Sequence, residues 1–181
     1  MIEAVVIVAV VIALAIAVIL IMAAMKPDTF RVERKTWISA PSEKLYGLIS
    51  DLHQWRSWSP WENRDPDLKR TYSGAERGKG AVYAWDGNRN VGSGRMEILE
   101  ATPSQIVIKL DFLRPFEAHN QAEFTLKPQD GATDVGTDVT WAMHGPAPFM
   151  FRVMHVVMKM DEMVGKDFEA GLANLRKVAE Q

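Results

Sequence analysis

Residues 149–179 read FMFRVMHVVMKMDEMVGKDFEAGLANLRKVA and follow directly on the breaker Gly145-Pro146-Ala147-Pro148. Met150, Val153, Met154, Val157, Met160, Val164, Phe168, Leu172, Leu175 and Val178 recur at the spacing of one helical face. Arg152, Lys159, Lys166 and Lys177 occupy the opposite face. The spacing predicts one long helix from Phe149 to Ala179. An apolar stripe of that length needs an apolar surface to cover, and the preceding residues supply a sheet.

Working back from the helix, the β-forming runs are Asp138 to His144, Phe116 to Lys127, Gln105 to Phe112, Asn90 to Glu100, Ala81 to Trp85 and Leu68 to Ser73. Turn chemistry separates them at Pro128-Gln129-Asp130-Gly131, Thr102-Pro103-Ser104 and Asp86-Gly87-Asn88. A further strand is expected over Phe30 to Ser39. Between it and the rest, Ala40-Pro41-Ser42 opens a short helix that continues from Glu43 to Leu52. His53 to Trp61 forms a second short helical or irregular piece. The echo of Thr133-Asp134-Val135 in Thr137-Asp138-Val139 is too brief to be a repeat. Consecutive hairpins closed by one helix imply an α+β domain with a mostly antiparallel sheet.

The N-terminus is of another kind. Ala4 to Met25 are 22 consecutive residues drawn only from Ala, Val, Ile, Leu and Met. As a helix they extend about 33 Å, against roughly 30 Å of bilayer hydrocarbon. A cleaved signal peptide needs a basic start, a shorter apolar stretch and an A-x-A-like site. Here Glu3 is the only charge before the run, and Met22-Ala23-Ala24 matches such a site poorly. The expected organisation is a transmembrane anchor over 1–25, a linker over 26–29 and one domain over 30–181. Lys26, Arg31, Arg34 and Lys35 follow the span and no Lys or Arg precedes it, which places the domain on the cytoplasmic side of a single-pass topology. Four linker residues reach at most about 14 Å, so the domain sits close to the headgroups.

Composition excludes several classes. The net charge of −2 is wrong for a nucleic-acid binder that works by phosphate neutralisation, and the absence of Cys excludes disulfides, iron–sulfur clusters and Cys-ligated zinc. His53, His119, His144 and His155 show no metal-ligating spacing. Gly92-Ser93-Gly94 lacks the third Gly of a dinucleotide loop, and no G-x-S-x-G occurs. Asp51 and His53 have no nucleophile nearby in sequence. Glu97, Glu100, Asp111, Glu117 and Glu123 alternate along strands and read as solvated faces. No metal, cofactor or nucleic-acid partner is expected, and no catalytic set stands out.

Several phrases carry a family resemblance. They are Ile38-Ser39-Ala40-Pro41-Ser42-Glu43-Lys44-Leu45-Tyr46, Ile49-Ser50-Asp51-Leu52 with Trp55, Trp58 and Pro60, Gly136-Thr137-Asp138-Val139-Thr140-Trp141, and Phe168-Glu169-Ala170-Gly171-Leu172-Ala173-Asn174-Leu175. Over about residues 29–180 the chain resembles the START/Bet v1-like (SRPBCC) superfamily, in its polyketide cyclase/dehydrase-like branch. The resemblance implies a helix-grip fold, in which a curved antiparallel sheet wraps a long C-terminal helix around a cavity. The added N-terminal span departs from the usual soluble form.

The cavity residues expected on this basis are Trp58, Trp61, Tyr83, Trp85, Phe112, Trp141, Met150, Met154, Val157 and Asp161. Met150, Met154, Met158, Met160 and Met163 serve either an adaptable apolar wall or ordinary core packing. Trp55, Trp58 and Trp61 form either a lid or membrane contact, or a plug at one end of the barrel. Asp161 falls within the apolar stripe; it is either a polar contact in the pocket, with Arg34 or Arg95 as partner, or is turned into water by a kink near Gly165. Three functions follow. The first is a membrane-anchored binding domain for a lipid, quinone or polyketide-like molecule. The second is a cyclase or dehydratase using Asp161, Arg34, Arg95, Tyr83 and His119. The third is a protein-interaction or regulatory module whose cavity is filled.

Overall fold

Alternation of apolar and polar residues builds the sheet. The computed structural model describes residues 1–130, 135–158 and 160–181, apart from the side chains of Asp130, Val135 and Met160. Seven strands, β1 (Thr29–Ile38), β2 (Lys69–Gly74), β3 (Ala81–Asp86), β4 (Ser93–Thr102), β5 (Gln105–Arg114), β6 (Ala118–Asp130) and β7 (Val135–Pro146), pair in the order β1-β7-β6-β5-β4-β3-β2, all antiparallel. Tyr83, Met96, Ile98, Ile106, Ile108, Ala122, Phe124, Val139 and Trp141 fall at alternate positions of their strands and are buried on the concave face. Irregularities at Ser93/Gly94 and Ile98/Glu100 in β4 bend the sheet. β6 runs on through Pro128 to Asp130, where a turn is expected; Gly131 and the Thr133-Asp134 echo lie outside the described residues.

Between β1 and β2, α2 (Ser42–Ser50) is followed by a 3-10 turn (Gln54–Ser57). A helix leaves its last carbonyls without intrahelical partners. Here the Trp58 indole N–H donates to the Leu48 carbonyl (3.1 Å) and the Trp55 indole N–H to that of Ile49 (2.9 Å). Both rings are buried and meet edge to face with Phe124 and Trp141. They close one end of α2 as part of the core and form no lid.

The expected single C-terminal helix is two helices, α3 (Phe149–Val157) and α4 (Met160–Ala179). α3 ends at Met158, with φ −111° and ψ 7°. Neither Pro nor Gly stands there, so no local breaker in the sequence marks the end of α3. α4 lays Phe168, Leu172, Leu175 and Ala179 onto the sheet. Phe168 stacks on Trp141 with ring centres 4.3 Å apart and planes 4° apart. Gly171 lies against the same ring, where a Cβ would stand 2.6 Å from Trp141 Cζ3.

α3 turns away from that line. Phe151 and His155 pack on Phe30 of β1, with centroids 5.5 and 5.7 Å from it. α1 (Ile2–Met25) packs against α3 near its own C-terminal end, where Ala23 is fully buried. The Arg152 guanidinium donates to the Lys26 carbonyl (3.0 Å), and the Ala147 N–H to the Asp28 carbonyl (2.6 Å). The rest of α1 is almost wholly exposed. Among the described residues it is the one helix long and apolar enough to cross a membrane, a property that signal sequences share.

Phe168→Ala removes the ring that seats α4 on Trp141 and costs about 3–5 kcal/mol, read as a lower denaturation midpoint. A second expectation concerns His155. Burial first, and Lys26 second, hold its imidazole below the ordinary value of 6.5, and Asp161 opposes them weakly. The folded state therefore favours neutral His155, and a detached α3 takes up the proton more readily. The contribution of this contact is complete above about pH 6.5 and is lost as the pH falls below it. Protection factors of the α3 amides, each measured rate set against the intrinsic rate at the same pH, are lower at about pH 5 than at about pH 7.5, and His155→Phe removes the difference.

Candidate functional site: a cavity between the sheet and α4

The concave sheet and α4 do not meet everywhere. A cavity of about 370 Å³ lies between them. Met96, Ile108, Leu110, Ala122 and Met143 form its floor, Phe168 and Val164 its α4 wall, and Trp55, Trp61 and Leu68 its side. Two small residues help to keep the space open. Ala122 contributes one methyl group among larger neighbours. Gly94 lets Trp85 lie flat on β4, since a Cβ there would be 2.5 Å from the Trp85 ring. Tyr72, Tyr83 and Trp85 stack in a row (5.1 and 6.0 Å), and Phe112 meets Trp85 edge on at 5.9 Å.

A buried carboxylate, Glu62, reaches this apolar chamber. It accepts the Tyr83 hydroxyl on Oε1 (2.7 Å) and accepts Arg70 Nε on Oε2 (2.7 Å). Arg70 also donates to the Glu62 carbonyl (3.0 Å). Burial, reinforced by the bond to Glu62, raises the Tyr83 phenol far above its ordinary range, so it stays a donor. The bond to Glu62 likewise raises Arg70. Asp65, also buried, accepts the N–H groups of Asp67 (3.0 Å) and Asn88 (2.6 Å), which ties this segment to the β3–β4 turn. Arg64 pairs with Asp167 of α4.

The mouth opens between the β3–β4 turn, the β5–β6 turn and the start of α4, among Arg89, Asn90, Arg114, Pro115 and Asp167. Gly92 sits there at φ +69°, with its Cα against the Arg114 carbonyl, so any side chain would collide. Arg114 donates to Ser93 Oγ (2.9 Å) and to Asp86. A second hollow of about 210 Å³ continues under α3 and shares Phe112, Arg114, Pro115, Met143 and Val164 with the first.

Of the residues expected to line the site, Trp61, Tyr83, Trp85, Phe112 and Trp141 surround the cavity. Trp58 lies behind its wall, at 1% exposure. Met150, Met154 and Val157 are on α3, outside the cavity, because the helix breaks before reaching it. The Met160 side chain and Lys159 lie outside the described residues. Asp161 is on the outer surface, where Arg34 donates to its carboxylate (3.2 Å) and to Glu169 (2.7 Å). Arg34 crosses Gly165 to do so, and a Cβ at that glycine would overlap the guanidinium. Arg95 pairs with Glu97 (2.8 Å). His119 is exposed beside Asp111 (2.8 Å).

Asp111, expected to be solvated, is buried; burial raises its carboxyl, and the bonds to His119 and Lys109 outweigh this and lower it. Among the described residues no three His, Asp or Glu side chains are grouped to hold a metal ion. Sequence reasoning missed Glu62, which follows Trp61 with no periodic or motif signal. It also missed Met96, Ile108, Leu110, Ala122 and Met143, which strand alternation does mark as inward-facing.

Residues 29–180 match the family model described as polyketide cyclase/dehydrase and lipid transport. No curated protein matches the chain in sequence. Similar solved structures include a protein from Chromobacterium violaceum (17% identity, TM-score 0.56, covering 86% of this chain and 99% of that one). Another is a protein of unknown function from Staphylococcus aureus (14%, TM-score 0.63, 84% and 94%). A third is a putative protein in the dynemicin biosynthetic locus (15%, TM-score 0.53, 86% and 48%). At these identities the likeness is one of fold.

Removing the buried carboxylate tests the polar end of the cavity. Glu62→Ala strands Arg70 and the Tyr83 hydroxyl and costs about 3 kcal/mol. Tyr83→Phe leaves the Glu62–Arg70 pair intact and costs less. Chemical denaturation of the two variants gives the order.

Proposed function

The chain belongs to the polyketide cyclase/dehydrase and lipid transport family, and on that premise we propose that it is a membrane-anchored binding domain for a hydrophobic small molecule. The family's fold points to hydrophobic ligand binding or a cyclase role. The observation that carries the first is the cavity. Its volume of about 370 Å³ falls within the size of small-molecule pockets, and its walls are mostly aromatic and aliphatic. Each Å² of apolar ligand surface moved into such walls contributes about 25 cal/mol, which suits a lipid, quinone or polyketide-like molecule.

Residues 1–25 are the anchor in this reading, 26–29 the linker and 30–181 the domain. Lys26, Arg31, Arg34 and Lys35 follow the span, which favours a cytoplasmic domain. A tether of four residues keeps the cavity within reach of lipid-dissolved ligands.

A second reading, a cyclase or dehydratase, is favoured by one observation: Glu62 and Tyr83 place a carboxylate and a phenol at the wall of the cavity. Of the five polar groups expected to act in such a reaction, only Tyr83 lines it. The binding reading does not need these groups to turn over a substrate.

The test uses the full chain in phosphatidylcholine vesicles that contain a fatty acid with a mid-chain diazirine. Irradiation and peptide mass spectrometry are expected to find label on β4, β5 and β7 residues of the cavity floor. Ala122→Phe, which fills the space, is expected to cut that label about tenfold, equal to roughly 1.4 kcal/mol of affinity. Label confined to α1 and the outer surface, unchanged by Ala122→Phe, overturns the proposal.

A further inference from the structure

The sheet register gathers several features at one end of the molecule. Thr29, where the chain enters the domain, pairs with Pro146, Phe112 pairs with Ala118, Arg114 with Ser93, and Ser93 with Asp86. α1 therefore leaves the domain at the end that holds the cavity mouth. α3 begins at the same end, immediately after β7.

α3 buries none of its residues, although seven of nine are apolar. Phe151 and His155 face the domain through Phe30. Phe149, Met150 and Val157 fall on the other side, and Met150 and Val157 are 69% and 61% exposed. Across the mouth, Leu113 at the end of β5 and Phe116 of the β5–β6 turn are exposed as well, Phe116 at 73%. Phe116 and Phe151 line the same hollow. These side chains continue the apolar surface of α1, which packs against α3 and is held to it through Arg152 and Lys26. Whatever solvates α1 at this level also meets α3.

We propose that α3 and the β5–β6 turn form a second membrane contact, with α3 lying in the headgroup layer and the cavity mouth pressed against lipid. The occupant of this apolar face is the bilayer into which α1 leads. The inference rests on reading α1 as a span, and it adds a docked orientation to a tether. A ligand then passes between bilayer and cavity along the Phe112–Val164 wall shared by the two hollows, without crossing bulk water.

The chain has no Cys, so single probes are easily placed. Met150→Cys, Phe116→Cys and, as control at the far end of α4, Lys177→Cys are labelled with the nitrobenzoxadiazole fluorophore and reconstituted as full chain in phosphatidylcholine vesicles. At 150 and 116 the emission is expected to shift to the blue. Roughly half of it is expected to be lost to lipids carrying a doxyl group near the headgroup. At 177 neither change is expected. Three outcomes overturn the proposal. One is emission at 150 and 116 as wet as at 177. Another is a blue shift without lipid quenching that grows with protein density, which assigns the face to a second copy of the chain. The third is release of the chain by an alkaline wash, which removes the span itself. Failure here is separable from failure of the ligand reading. Cavity photolabelling with wet probes sinks only the docking, and quenched probes with an unlabelled cavity sink only the ligand.

Discussion

The parallel stack of Phe168 on Trp141 is the contact on which the domain's architecture depends. Trp141 projects from β7, stacks with Phe124 of the neighbouring strand at 4.8 Å, and receives the edges of Trp55, Trp58 and Trp61. Phe168 lies on its other side and brings α4 with it. Sheet, α2 region and C-terminal helix thus converge on one ring. Such rings are large and rigid, with few rotamers. They hold α4 at a set distance from the sheet, where aliphatic side chains would let it settle. Ala122, with one methyl group, leaves space open in the floor of the cavity beside the stack.

The polar corner follows from the same geometry. Segment 59–68 crosses the sheet's free side and cannot pair as a strand, so its side chains anchor it. Glu62 binds Arg70 and Tyr83, Asp65 binds the β3–β4 turn, and Arg64 binds α4. Burying a carboxylate is costly unless it is paired and hydrogen-bonded. Glu62 meets both conditions, so it is stable as a structural anchor while still standing at the cavity wall.

Strand alternation, turn residues and the α4 stripe made the sheet, its connectivity and the seat of Phe168, Leu172 and Leu175 legible in the sequence. These signals are local and periodic. The break at Met158 was not legible, because the apolar spacing runs through it without interruption. α3 is instead held to residues more than a hundred positions away, packing on Phe30 and donating from Arg152 to the Lys26 carbonyl. The stripe leaves Asp161 either in the pocket or turned into water; with α4 starting at Met160, it lies at the surface beside Arg34. The cavity side of the site was half legible. Aromatic residues on inward strand positions, such as Tyr83 and Trp141, follow from period two. Glu62, in an irregular segment, follows from nothing shorter than the folded chain.

The break also accounts for the presence of a mouth. A straight helix over 149–179 would carry Met150, Val153 and Met154 along the open edge of the cavity and close it with their side chains. Divided, the helix leaves α4 to hold the sheet through Phe168, and Val164 becomes the α4 residue that borders both hollows. α3 is freed to lie beside α1 with its apolar side outward. The cost is an exposed apolar face, which water disfavours and a lipid surface does not. The same division that opens the cavity therefore leaves an apolar surface beside the opening. In the proposed docked orientation the opening offers an apolar ligand the hollow interior on one side and a greasy rim on the other.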